Sequence, residues 1–184
     1  MAKGKQENNL KNKLKKKIGI LGGSFDPAHK GHLNISLEAK KNFKINKVIW
    51  AITNQNPFKL KSKYDLKERI LIAKKITKKY SFISIKFYEK IINSNKTIDL
   101  INYIHKHNSN YDLYFLMGAD NLVNFHKWKQ WGRISQICNI LVFDRTNYRS
   151  KSFKSKAYKK INNEKLKFVR FKKVNISSSK LRKI

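Results

Sequence analysis

Six short apolar runs, separated by amphipathic stretches, most strictly limit what this chain can fold into. They are KIGILGG (17–23), NKVIWAIT (46–53), FISIKF (82–87), DLYFLMG (112–118), NILVFD (139–144) and LKFVRF (166–171). Consecutive apolar positions over so short a length suit strands buried on both faces. Between the first four lie HLNISLEAKKNF (32–43), DLKERILIAKKITKKY (65–80) and TIDLINYIHKH (97–107), whose apolar residues recur at helical spacing, with Asp65 and Thr97 as candidate N-caps. Strands alternating with helices predict an α/β fold, a doubly wound parallel sheet with right-handed crossovers.

The 184 residues are 40% hydrophobic, enough for one domain with a real core. No internal repeat or second boundary interrupts residues 17–184. Residues 1–16, MAKGKQENNLKNKLKK, hold many lysines and almost no apolar side chains, so they are read as a flexible basic extension. The single cysteine, Cys138, allows no intramolecular disulfide. A cytoplasmic protein is the simplest expectation. No apolar run approaches the roughly twenty residues of a membrane helix, and no signal-peptide core opens the chain.

Charge narrows the partners. Lys+Arg number 43 against 11 Asp+Glu, a formal charge of +32 that favours an acidic partner or substrate. Only six of these cations are arginine, whereas phosphate and base readout favours arginine forks. The charge therefore reads as a lysine-rich solvated surface that binds nucleic acid non-specifically if at all. A nucleic-acid-binding protein is the alternative, although no recognition module of a usual kind is present.

The most informative segment is Gly22-Gly23-Ser24-Phe25-Asp26-Pro27-Ala28-His29-Lys30-Gly31-His32, between the first strand and the first helix. In a parallel sheet this is where a phosphate meets free backbone N–H groups, and paired glycines permit close approach. His29 and His32 are three apart, which puts both imidazoles on one face near the helix start, within reach of phosphate oxygens. A zinc site on the pair lacks a third ligand at an obvious spacing, so no metal site is expected there.

GGSFDPAHKGH resembles the signature of the HxGH nucleotidyltransferase superfamily, whose members use a Rossmann-like sheet. Its second signature, ISSSxxR, is matched by Ile176-Ser177-Ser178-Ser179-Lys180-Leu181-Arg182. Phe115-Leu116-Met117-Gly118-Ala119-Asp120-Asn121-Leu122, with Phe125, Trp128 and Trp131, is similar to a block of the bacterial nicotinate-nucleotide adenylyltransferases that the phosphopantetheine branch lacks. Thr53-Asn54-Gln55-Asn56-Pro57-Phe58-Lys59 resembles that family's second loop, and Arg145 with Tyr148 its RPGY, with Thr146-Asn147 in place of Pro-Gly. The family's threonine-rich acceptor segment is reduced to Ser94 and Thr97.

The resemblance implies adenylyl transfer from ATP to nicotinate mononucleotide, giving nicotinate adenine dinucleotide and pyrophosphate in NAD biosynthesis, with Mg²⁺ held mainly by the ATP phosphates. Phosphopantetheine adenylyltransferase is the alternative within the superfamily. Carried over by motif, His29, His32 and Arg182 are the catalytic candidates. Gly22, Gly23, Ser24, Phe25, Ile176, Ser177 and Ser178 join them around ATP. Lys59, Thr97, Asp120, Trp128 and Arg145 are the acceptor candidates. Lys59 is alternatively one surface lysine among many, Trp128 a core tryptophan, and Asp120 a helix cap.

Overall fold

The computed structural model describes residues 15–56 and 61–170. The strands are β1 (Lys16–Gly23), β2 (Lys47–Ile52), β3 (Ile83–Lys86), β4 (Tyr111–Gly118), β5 (Asn139–Phe143) and β6 (Leu166–Val169), one for each apolar run. They form one sheet in the order β3-β2-β1-β4-β5-β6, every pair parallel. The order reverses at β1, flanked by β2 and β4, and that reversal opens the crevice where ligands bind in doubly wound sheets.

Period-two alternation explains why the runs are apolar throughout. Ile18, Ile20, Ile49, Phe115, Met117, Ile140 and Val142 face one core, and Leu21, Val48, Trp50, Leu116, Leu141 and Phe143 the other. Helix α4 (Thr97–His107) seals the first face with Ile98, Ile101 and Ile104, joined by Ile134 of α6 (Trp131–Ile137). Helices α1 (Lys30–Phe43) and α2 (Leu66–Thr77) cover the second with Ala39 and Ala73. Cys138 is buried in the first core, and burial pushes its thiol up to about 12, so it behaves as a small apolar residue.

Asp65 caps α2 as expected, within a capping box: its side chain accepts from Glu68 N, and Glu68 Oε2 accepts from Asp65 N. Thr97 does not cap α4. It is the first helical residue after N-cap Lys96, and Ser94 does the local bonding, its hydroxyl accepting from Lys96 N and donating to Asp99 Oδ2. Sequence patterning left unassigned α3 (Glu89–Ile92), α5 (Ala119–Asn124), a 3₁₀ turn (Phe125–Lys127), α6, α7 (Arg149–Phe153) and α8 (Lys156–Lys160).

Candidate active site

Strand register brings the functional loops to one level. Gly23 pairs with Ile52, Gly118 with Phe143 and Phe143 with Val169, while Leu21 lies opposite Leu116, each two residues short of its strand end. The segments carrying Ser24, Thr53, Asp120 and Arg145 therefore leave the same edge of the sheet.

At its centre, α1 begins with a cap made of the two histidines. His29 is the N-cap in extended conformation, and its Nδ1 accepts from Gly31 N at 3.0 Å. His32 Nδ1 accepts in turn from His29 N at 3.2 Å, closing a capping box in imidazoles. With both Nδ1 atoms accepting, each neutral ring carries its proton on Nε2. The rings lie 3.9 Å apart, at the positive end of a 14-residue helix.

The pair rests on an aromatic platform. Phe25 stacks on the fully buried Trp50 at 5.0 Å, and His32 lies 4.6 Å from Phe25 and 5.9 Å from Trp50. Trp50 Nε1 donates to Ser36 Oγ at 2.8 Å, whose hydroxyl donates to the His32 carbonyl. The sheet thus fixes the first turn of α1 through a tryptophan, a hydroxyl and a peptide oxygen.

Gly22 and Gly23 end β1 with ordinary dihedrals, and a Cβ on either would meet the protein no closer than 3.6 Å. The left-handed residue of this loop is Phe25, at φ 48°. Such a backbone is strained for a bulky side chain and is held by its burial against Trp50. Neither glycine is therefore required by its own backbone conformation. Their smallness matters only to something approaching from outside.

On the other side of the crevice, Arg145 Nη1 donates to Asp120 Oδ2 at 2.6 Å, the only ion pair among the described residues. Asp120 makes no helix cap. Its Oδ1 is buried and has no hydrogen-bond partner among the described residues, and a Cβ on Gly118 would collide with it. Asn147 occupies the glycine position of the RPGY-like turn at φ 67°, a conformation asparagine tolerates well, so the departure from Pro-Gly keeps the turn. Asn147→Gly is expected to leave stability within about 0.5 kcal/mol and Asn147→Val to lower it by about 1–2 kcal/mol, read from urea unfolding.

Trp128 is half-buried, packed edge-on against Phe125 at 5.2 Å and Phe115 at 6.0 Å. Trp131 is also only half-buried, against Phe125. Thr97 opens α4, beside the cleft lined by Glu89, Asn93, Ser94, Asn95 and Lys96. Lys59, Ile176, Ser177, Ser178 and Arg182 lie outside the described residues. Among the described residues no group of three His, Cys, Asp or Glu is placed to hold a metal ion, and no helix is long and apolar enough to cross a membrane.

Two polar residues that tie these loops together escaped the sequence reading. Arg69 of α2 is 2% exposed, and its guanidinium donates to the carbonyls of Ser24, Thr53, Asn54, Tyr64 and Asp65. Burial lowers its pKa, offset in part by Asp26, Asp65 and Glu89. Glu89 accepts from Thr53 Oγ1 and from Asn54 N. The sign that could have exposed Arg69 is its place in the inward stripe of α2, four residues before Ala73 and eight before Thr77.

A histidine-capped helix at the switch point of a parallel sheet, with an Arg–Asp pair following β4 and β5, defines a nucleotidyltransferase-type site. In agreement, the cytidylyltransferase-like family model matches residues 20–184. A probable nicotinate-nucleotide adenylyltransferase of Pelagibacter ubique is 62% identical over 180 residues, covering 98% of this chain and 99% of that protein. Another from a Bradyrhizobium species is 38% identical over 130 residues, 70% of this chain and 67% of that one. The Plasmodium falciparum nicotinic acid mononucleotide adenylyltransferase, solved in complex with NaAD, shares the fold with a TM-score of 0.72 at 22% identity, over 91% of this chain and 83% of that one. The chain belongs to the nicotinate-nucleotide adenylyltransferase family.

Proposed function

We propose that the chain transfers the adenylyl group of ATP to nicotinate mononucleotide. The 5′-phosphate oxygen of the acceptor attacks the α-phosphorus, the α–β bridging bond breaks, and nicotinate adenine dinucleotide and pyrophosphate leave. The attacking oxygen is already anionic near neutral pH, so alignment and charge stabilisation suffice and no general base is needed. The observation that carries this reading is the pair of histidines whose Nδ1 atoms are both occupied by backbone N–H groups. Their Nε2–H groups are the donors for the triphosphate, strengthening as charge builds on the transferring phosphoryl group. Gly22, Gly23 and Ser24 admit the phosphates close to the backbone, and Arg182 with Ile176, Ser177 and Ser178 takes the β- and γ-phosphates.

Arg145 and Lys59 serve the acceptor phosphate, and Asp120 Oδ1 accepts from a ribose hydroxyl. Trp128 offers its face to the pyridine ring, and Thr97 lines the same subsite. Mg²⁺, held mainly by the ATP phosphates, would offset their charge. Nucleic acid is at most a non-specific, salt-sensitive ligand of the +32 surface, and the reaction is assigned to the cytoplasm.

Pyrophosphate release from ATP and Mg²⁺, with nicotinate mononucleotide, nicotinamide mononucleotide or phosphopantetheine in parallel, tests the assignment. Turnover with nicotinate mononucleotide is the expected outcome. Turnover with phosphopantetheine alone would move the chain to the sister family, and silence with all three would overturn adenylyl transfer.

A further inference from the structure

Four segments at the carboxyl edge of the sheet are tied into one circuit by polar contacts, and its hub is a buried cation. Arg69 Nη1 donates to Ser24 O at 2.7 Å and Thr53 O at 2.8 Å, Nη2 to Asn54 O at 2.8 Å, and Nε to Tyr64 O at 3.1 Å and Asp65 O at 3.3 Å. Asp26, 2% exposed, returns the link by accepting from Lys63 N and Tyr64 N, both at 3.0 Å. Glu89 holds Thr53 and Asn54 from the far side, beside the Asn93–Lys96 cleft.

We propose that Arg69 is a positioning residue for the transfer, setting the distance between the triphosphate loop after β1 and the acceptor-side loop after β2. The proposal rests on the adenylyltransferase reading for its kinetic consequence, but the mechanical link stands on the geometry alone. Ser24 immediately precedes Phe25, whose left-handed backbone turns the chain toward His29 and His32. Thr53 and Asn54 immediately follow β2 and are the residues Glu89 grips. One planar fork therefore touches both sides of the reaction, and planarity fixes the angles between its partners as well as their distances. A lysine retains the charge but presents one nitrogen and cannot reach the same set of carbonyls in fixed geometry. A misplacement of about 1 Å between reacting groups is enough to reduce turnover by about 10²-fold.

The variant to compare with the native enzyme is Arg69→Lys, with far-UV circular dichroism to verify the fold. The expected result is a loss of about 10²-fold in kcat, with KM for ATP and for nicotinate mononucleotide each within about threefold of native. Amide hydrogen exchange supplies a reading independent of any acceptor: the loop amides Asn54, Lys63 and Tyr64 are expected to exchange together about tenfold faster, while the amides of β1 and β4 keep their protection. If Arg69→Lys does not fold, Glu89→Ala replaces it, and loosening must then spread from Asn54 to Lys63 and Tyr64. A folded Arg69→Lys with native kcat, or loosening confined to one loop in either variant, would overturn the proposal. A native enzyme silent toward every acceptor would overturn the adenylyltransferase reading, and the exchange result would still decide the circuit.

Discussion

His32→Ala is expected to lower turnover by about 10²–10³-fold, the range seen when one donor to a transition-state oxyanion is removed. The size follows from the position of the imidazole. Its Nδ1 is committed to His29 N, so the substitution removes the Nε2 donor and also releases the peptide that orients His29. The ring is half-buried and lies on Phe25 and Trp50, so its loss leaves the sheet standing. Circular dichroism of His32→Ala is therefore expected to match native, with the deficit confined to kcat. A loss of about tenfold or less would mean that the histidine pair caps the helix without touching the reaction.

Trp50→Ala carries the largest expected effect on stability, about 3–5 kcal/mol in urea unfolding, because it empties the volume of a fully buried indole. The same change strips the Ser36 hydroxyl of its donor and removes the plane under Phe25 and His32. Activity is thus expected to fall even at temperatures where the variant remains folded. Trp50→Phe separates the two contributions. It restores most of the apolar contact but not the Nε1 donor, and is expected to recover more stability than activity.

The sheet was legible because its strands are buried on both faces, which leaves long apolar runs that few other arrangements produce. Helices α1, α2 and α4 were legible for a related reason, since each has enough turns to display a stripe. The pieces between Ala119 and Lys160 are mostly one or two turns long and carry tryptophans, lysines and serines in no clear period. Local turn geometry and packing against the first core shape them, and neither leaves a pattern in so few residues. At the site, the spacing of His29 and His32 puts both at the start of α1, where they are found, but the capping box and the resulting tautomers emerge only once the backbone is in place.

Spacing alone did not find the hub. Arg69 sits in KERIL, a string that looks like an ordinary solvated helix surface, and its burial depends on five carbonyls contributed by segments distant in sequence or just before α2. Asp120 was open to two readings, and its pairing with Arg145 across 25 positions adds a third that no local pattern encodes.

In the proposed reaction the α-phosphorus of ATP passes directly to the phosphate of a pyridine mononucleotide. The most direct measurement follows the label from ATP carrying radioactive phosphorus at the α or the γ position, with nicotinate mononucleotide and Mg²⁺ present. The α label is expected in nicotinate adenine dinucleotide and the γ label in pyrophosphate, in equal amounts, with both transfers lost together in His32→Ala. Release of α label as free AMP, or γ label as inorganic phosphate formed directly from ATP, would mean that the site hydrolyses nucleotide and does not transfer the adenylyl group.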